Sequence, residues 1–394
     1  MSFSDYSDDD DDMSWKVRRS ASKVLCAIIE TRSDLLQQIY EDVAPVLINR
    51  FKEREESVRV DILQTFIALL RQTSVYGGTS SGTDRPRRNS VTSYGDQIDF
   101  LPASPANGTN GDSIMETTDG PRQLLRSLVP KICRALAKQL SAKSTQTRQI
   151  GFHLLRELIT VLQGGLDDQI ELFFPAIETS LSNTTAEQQH ASSSNLKIEI
   201  LYFLRLFFHN RHTDNIHTMI DCLAPSVIKS VSDRFYKITS EAFLVCIELI
   251  KVIRPIHLEK SGQYQITDIA PENVQYINQI YKVTLNVLNT SDADQEVKER
   301  SIMCLGTLLA QVGDVLQSQQ RQAWDVLLER LRNEVTRLIS VKTLNVVSQS
   351  PIAAGEELQR CVLVAVEDIS LLLRKSNRPL RIASLECLNV LVNR

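Results

Sequence analysis

Asn195-Leu-Lys-Ile-Glu-Ile-Leu-Tyr-Phe-Leu204 is the stretch on which the fold turns. Leu196, Ile200, Leu201 and Leu204 recur at helical spacing and make one apolar stripe, with the basic Lys197 at its head. The same arrangement, a basic residue after an apolar or small one and three before a small or β-branched one, occurs eight times. Arg18, Arg59, Arg148, Lys197, Lys237, Lys298, Arg337 and Arg381 fill the basic position, and each opens a helical apolar pattern. They lie 41, 89, 49, 40, 61, 39 and 44 residues apart. A recurrence of roughly 40 to 47 residues, with two larger gaps, is the period of two-helix HEAT-type units.

Each stripe needs a helix to pack on, and the segment ahead of it supplies one. Helical patterns cover 35–51, 123–140, 167–181, 217–231, 274–288, 319–331 and 356–373. The sequence therefore predicts an all-α fold, a HEAT-type α-solenoid in which antiparallel helix pairs stack as a superhelix and bury one another without a common centre. Each second helix is expected to start at its basic residue. Pro45, Pro130, Pro175 and Pro225 fall within first helices, where a missing N–H donor predicts a kink. The first pattern, with Val17, Val24, Leu25 and Ile28 as its stripe, has no helix ahead of it, only Asp5 and the run Asp8 to Asp12. An isolated amphipathic helix is marginal in water, so the natural chain is expected to extend upstream. The lack of a polar capping unit after Arg394 predicts continuation there too.

The expected organisation is an acidic disordered segment at 1–13, HEAT units at 14–72 with the first incomplete, and a disordered insertion at 73–120. HEAT units follow at 121–254, a loop at 255–272, and HEAT units again at 273–394. The insertion is rich in Gly, Ser, Thr, Asn and Pro and has too little apolar surface to order itself. A polar link is expected over 183–194.

With 42% hydrophobic and 23% charged residues and a net charge of −4, the chain has the composition of a folded protein that gives a polyanion no electrostatic reason to bind. No apolar run is long enough to span a bilayer. Neither nucleic acid, membrane nor small-molecule ligand is expected as a partner, and a cytoplasmic and nuclear location follows. Seven cysteines stand singly, never closer than 24 residues, and read as small core hydrophobes in a reducing compartment. His209, His212 and His217 lack a Cys or carboxylate at metal-site spacing, and Gly77-Gly78 and Gly164-Gly165 read as turns. No nucleophile signature is present, so the reading is noncatalytic, with no catalytic, cofactor or metal residues. Arg87-Arg88-Asn89-Ser90 has the spacing basophilic kinases favour, which makes Ser90 a candidate phosphosite. The eight basic residues are expected to reach acidic or carbonyl acceptors at the turn of the adjacent unit, setting the twist between units.

Several segments carry more than the generic repeat. Asp8-Asp-Asp-Asp-Asp-Met-Ser-Trp-Lys-Val-Arg-Arg19, Asn49-Arg-Phe-Lys-Glu-Arg-Glu-Glu56 and Ser192-Ser-Ser-Asn-Leu-Lys-Ile198 resemble the cullin-associated, neddylation-dissociated family. Phe235-Tyr-Lys-Ile-Thr-Ser-Glu-Ala242, Lys251-Val-Ile-Arg-Pro255, Asp294-Gln-Glu-Val-Lys-Glu-Arg300 and Leu328-Glu-Arg-Leu-Arg-Asn-Glu-Val-Thr-Arg337 do so as well, in that family's order. The resemblance is to the middle section of a longer chain. It implies a HEAT scaffold that binds an unneddylated cullin–RING complex and promotes exchange of substrate-receptor modules on SCF-type ubiquitin ligases. Contacts at both ends of such a scaffold are outside this segment, so weak cullin binding or none is expected of it alone. A HEAT scaffold of another class, such as a nuclear-transport receptor or a phosphatase scaffold, is the alternative.

Overall fold

The computed structural model describes residues 14–77, 120–182, 191–210, 217–259, 261–290 and 292–393. They form two compact units, one ending at Ala176 and one beginning at Ile177.

In the first unit α1 (Ser14–Thr31) is followed by a broken helix. This runs through a 3₁₀ turn (Ser33–Leu35), α2 (Leu36–Gln38), a π turn (Ile39–Val43) and α3 (Ala44–Arg50). Then come α4 (Glu56–Tyr76), α5 (Pro121–Leu140) and α6 (Thr145–Leu162). A second 3₁₀ segment, Asp167–Phe173, leads into α7 (Phe174–Ser182), where the unit boundary falls. The second helices lie side by side, α4 between α1 and α6, while α3 and α5 pack behind them. Leu63, Phe66, Leu69 and Leu70 of α4 are fully buried, and Phe66 meets Phe51 edge-on at 5.4 Å between ring centroids. Small hydroxyls fill the close seams: Ser22 Oγ lies 3.0 Å from Thr65 Oγ1, and the Tyr40 hydroxyl 2.6 Å from Thr73 Oγ1. A buried hydroxyl is tolerated because it finds such a partner.

The second unit continues with α8 (Ala191–His209), α9 (His217–Ser230), α10 (Tyr236–Ile253), α11 (Pro271–Leu288) and α12 (Gln295–Leu316). α13 (Gln320–Arg332), α14 (Arg337–Gln349), α15 (Glu356–Leu372) and α16 (Arg378–Val392) complete it. Second helices again stack in order, α8 on α10, α10 on α12, α12 on α14 and α14 on α16. α10 is enclosed by α8, α9 and α12, which is why every residue from Ile238 to Ile250 is buried. A helix apolar nearly all round is what such a position selects. α12 bends at Val312 (φ −137°, ψ 18°). At the bend the Arg254 guanidinium donates to the Gln311 carbonyl at 3.3 Å and to the Thr267 carbonyl at 3.2 Å, and pairs with both oxygens of Asp314. Arg254 thus supplies a donor to a carbonyl at the break, and ties the segment after α10 to α12.

The solenoid expectation holds in both units, with local corrections. The interval 255–272 is not a plain loop: β1 (Ile256–Leu258) pairs antiparallel with β2 (Tyr264–Ile266), and Pro271 opens α11. Alternation over so few residues is too short a signal to separate a strand from a loop. α4 runs to Tyr76, so residues 73–76 of the expected insertion are helical. Residues 78–119 of it, with Ser90, the acidic run at 8–12, and His212 lie outside the described residues. α8 starts at Ala191, six residues ahead of Lys197, so 191–194 belong to the helix and not to a link. Pro130 and Pro225 sit inside continuous helices, whereas the break falls at Pro45 and Pro175, each in the first turn of a helix that follows a π or 3₁₀ segment. A first-turn proline needs no N–H acceptor, so the irregular turn ahead absorbs the disruption. In α1 the expected stripe does not face the stack: Val17, Val24 and Ile28 are exposed, while Ser22 and Ile29 are buried. Gln163, Gly164 and Gly165, all with positive φ, form the turn after α6, as read from the sequence.

In the second unit α12 and α14 approach closely at Gly306. A Cβ on Gly306 would lie 2.1 Å from Thr343 Cγ2, a short, stiff side chain that has no room to yield. Gly306→Ala is therefore expected to destabilise the second unit by about 1–3 kcal/mol in denaturant titrations. Adding Thr343→Ser, which removes the opposing methyl, should recover part of that loss. Equal losses in the single and double variants would show that the contact is not what limits the approach.

Candidate interaction surface

Seven of the eight second helices begin one to six residues ahead of the basic residue, not on it as expected, while α14 begins on Arg337; the basic residues thus lie early in the second helices, beside the turns that join each pair. Those turns are built from local caps. Ser144 Oγ accepts the Thr147 N–H at 3.1 Å, and Asp233 Oδ1 accepts the Phe235 N–H at 3.0 Å. Asp294, Asn333 and Asn377 do the same for Glu296, Val335 and Leu380. Short polar side chains at helix starts satisfy N–H groups that the helix leaves open. Turn closure also recurs over six residues: Arg59 Nη1 donates to the Glu53 carbonyl (2.7 Å), Thr239 Oγ1 to that of Asp233 (3.0 Å) and Thr336 Oγ1 to that of Arg330 (2.8 Å).

Arg18, Arg59, Lys197 and Lys237 reach the following hairpin. Arg18 pairs with Glu53 at 3.3 Å, and Arg59 donates through Nε and Nη2 to Thr147 Oγ1 at 3.2 and 3.1 Å. Lys197 Nζ reaches Asp233 Oδ2 at 2.9 Å, and Lys237 Nζ reaches Glu296 Oε2 at 2.9 Å beside Ser240, which donates to the other oxygen at 3.0 Å. Burial would raise the Glu296 carboxyl, but the bonds from Lys237 and Ser240 pull it below its ordinary range. Arg337 instead faces Glu334 of its own turn at 3.9 Å. Arg148 is half-buried and donates to Thr145 Oγ1 at 3.4 Å, and burial lowers its pKa. Lys298 is half-buried and Arg381 exposed. The acceptors Glu53, Asp233 and Glu296 went unread in the sequence, although Asp and Glu ahead of a helix start are the signal for them.

Further staples cross the same seams. Arg71 of α4 donates to Glu157 Oε1 of α6 at 3.1 Å, and His153 Nε2 lies 3.2 Å from that oxygen. Burial alone would raise the Glu157 carboxyl, yet the hydrogen bonds from His153 and Arg71 hold it down to about 2. His209 Nδ1 lies 3.2 Å from Glu248 Oε2, so it belongs to an ion-pair seam between α8 and α10. An open cleft in the first unit, lined by Arg19, Glu55, Glu56, Asp61, Gln64 and Gln146, lacks the apolar floor of a small-molecule site. Five of the seven cysteines are buried, and burial pushes Cys133, Cys304, Cys361 and Cys387 up to about 12, far from thiolate chemistry. Among the described residues no group of His, Cys, Asp and Glu gathers as a metal site, and no helix is long and apolar enough to cross a membrane.

Two of the eight residues that precede the basic position face outward: Val17 at the start of α1, 71% exposed, and Tyr236 in the second unit. The residue just before the basic position is buried in Val58, Thr147, Leu196, Val297, Thr336 and Leu380, none more than 4% exposed. Tyr236 is 39% exposed, and Phe235 ahead of it is likewise 39% exposed. Their rings meet edge-on at 5.5 Å, with Lys237 Nζ 5.3 Å from the Tyr236 centroid. The sequence held this signal, since Ser57, Gln146, Asn195 and Glu296 stand where Phe235 does.

A family model described as CAND1-like, TPR repeats, matches residues 164–305. Along 98% of its length the chain is 38% identical to cullin-associated NEDD8-dissociated protein 1 of Drosophila melanogaster, covering 27% of that protein. By sequence the chain is similar, along nearly its whole length, to one segment of the cullin-associated NEDD8-dissociated proteins. It is 36% identical over 97% of its length to the Arabidopsis thaliana protein 1, and 36% identical over 97% to protein 2 of Mus musculus, covering 27% of each. The chain thus spans little more than a quarter of the length of these curated relatives. In this chain the most enclosed link of the ladder is Lys197–Asp233, with side chains 9% and 17% exposed. Lys197→Met should cost roughly 3 kcal/mol, because it leaves a shielded carboxylate without its cation. Asp233→Asn keeps the cap to Phe235 while removing the charge, so the double variant should lose less than the sum of the singles in a denaturation cycle. Additive losses would mean that the pair does not couple the two helices.

Proposed function

We propose that this chain is a noncatalytic scaffold segment that binds a cullin–RING complex and, as part of a longer solenoid, promotes exchange of substrate-receptor modules on cullin-based ubiquitin ligases. The observation that carries this reading is the 38% identity along 98% of the chain with a relative named as a cullin-associated protein. The architecture agrees with it physically. Stacked pairs present many exposed side chains along their turns, and a partner held at many weak points gains affinity from the length engaged. With about a quarter of a relative's length, this chain would retain only part of that sum, each lost tenfold in affinity being about 1.4 kcal/mol.

The test titrates the chain over an unmodified cullin–RING pair fixed to a biosensor, with a nuclear-transport GTPase fixed in parallel. Of the two outcomes the sequence allows, weak binding or none, the exposed side chains along the stacked turns favour the first, so weak, saturable binding to the cullin–RING pair and none to the GTPase is expected. Saturable binding to the GTPase, or none to the cullin–RING pair, would overturn the reading.

A further inference from the structure

In the second unit Phe235 and Tyr236 occupy the one turn whose pre-basic residue faces outward, and the fold invests heavily in holding them there. Asp233 caps the Phe235 N–H, its carbonyl is tied by Thr239, and its second carboxylate oxygen is held by Lys197 from α8. On the other side Lys237 sits against the Tyr236 ring while its ammonium is fixed by Glu296 of α12. Three helices therefore wire one turn, and the product is a pair of edge-on rings with more than a third of their surface in solvent. Neither ring is needed to fill the stack, since Ile238, Ala242, Phe243 and Val245 behind them are fully or almost fully buried. Rigid exposed aromatic side chains give up little conformational freedom when covered, which is why anchors of protein interfaces are so often Tyr, Trp or Phe.

The surroundings say what should cover them. Lys237 links the aromatic turn to the next one through Glu296, and at the tip of that next turn Asp292 and Asp294 are exposed, with Lys298 and Arg300 half-buried behind them and Arg234 exposed ahead of Phe235. Beyond it Val335 is 62% exposed at the position equivalent to Phe235. An apolar anchor beside an acidic turn favours an aliphatic surface flanked by basic residues.

We infer that Phe235 and Tyr236 are the anchor by which this scaffold holds a partner helix that is aliphatic on its exposed face and flanked by lysine or arginine. The inference rests on the function proposed above, so that the helix belongs to the cullin.

The experiment compares the wild-type chain with Phe235→Ala/Tyr236→Ala and with Asp292→Asn/Asp294→Asn on the immobilised cullin–RING pair, at low and high salt. Thermal unfolding of each variant is followed in parallel. The aromatic double variant should bind at least tenfold more weakly, about 1.4 kcal/mol, with an unchanged melting temperature. The acidic variant should bind more weakly at low salt and match wild type at high salt, as screened charges do. Wild-type affinity in the aromatic variant would overturn the anchor while leaving the scaffold reading intact. Loss of binding accompanied by a lowered melting temperature would assign the rings to the fold and overturn it also. Absence of binding by the wild-type chain would remove the scaffold reading and this inference together.

Discussion

Side-by-side burial of the second helices is the constraint from which the rest follows. α10 shows it most fully. With α8 and α12 on its flanks and α9 behind, it buries even Glu241 and Glu248. Among the described residues of each unit the second helices pack in chain order, so each layer is stabilised by its neighbours. Close approach then dictates composition along the seams. Glycine stands at 306 opposite Thr343, and hydroxyls pair at Ser22 and Thr65. Cysteines fill buried positions at 246 and 304, behaving as small apolar side chains.

Electrostatics works on top of this packing and sets how one layer follows the next. The basic residue of a second helix reaches forward to the turn of the next pair, where the same carboxylate often caps the helix start. Asp233 serves Lys197 and Phe235 at once. The turn that follows Arg337 carries Asn377, a neutral acceptor, and Arg337 faces Glu334 of its own turn instead. The ladder is thus a set of individual links whose strength depends on the residue that closes each turn.

Periodicity is a local property, and the sequence reported it well. The first helices read at 123–140, 274–288 and 356–373 match α5, α11 and α15 to within three residues. What depends on a neighbour was harder to read. The stripe Val17, Val24 and Ile28 is correctly apolar and helical, but periodicity does not say which side another helix covers, and α4 meets Ser22 and Ile29 instead. The pairing of Ile256 with Ile266 needed contact across a turn. The basic ladder was legible as a row of charges, whereas its acceptors, and the outward turn of Tyr236, depend on three helices meeting. Family resemblance reached further than pattern, because segments such as Lys251-Val-Ile-Arg-Pro255 encode tertiary roles: Arg254 proves to be the residue that joins β2's exit to the bend of α12.

If layers are stable only through their neighbours, amide hydrogen exchange in the second unit must be graded and not uniform. Exchange resolved by peptide should be slowest in α10 and α12, each flanked by second helices on both sides, and markedly faster in α16, which packs on α14 and α15. Amides of α16 as slow as those of α10, disappearing together in one cooperative step, would contradict nearest-neighbour stacking and point to a shared core.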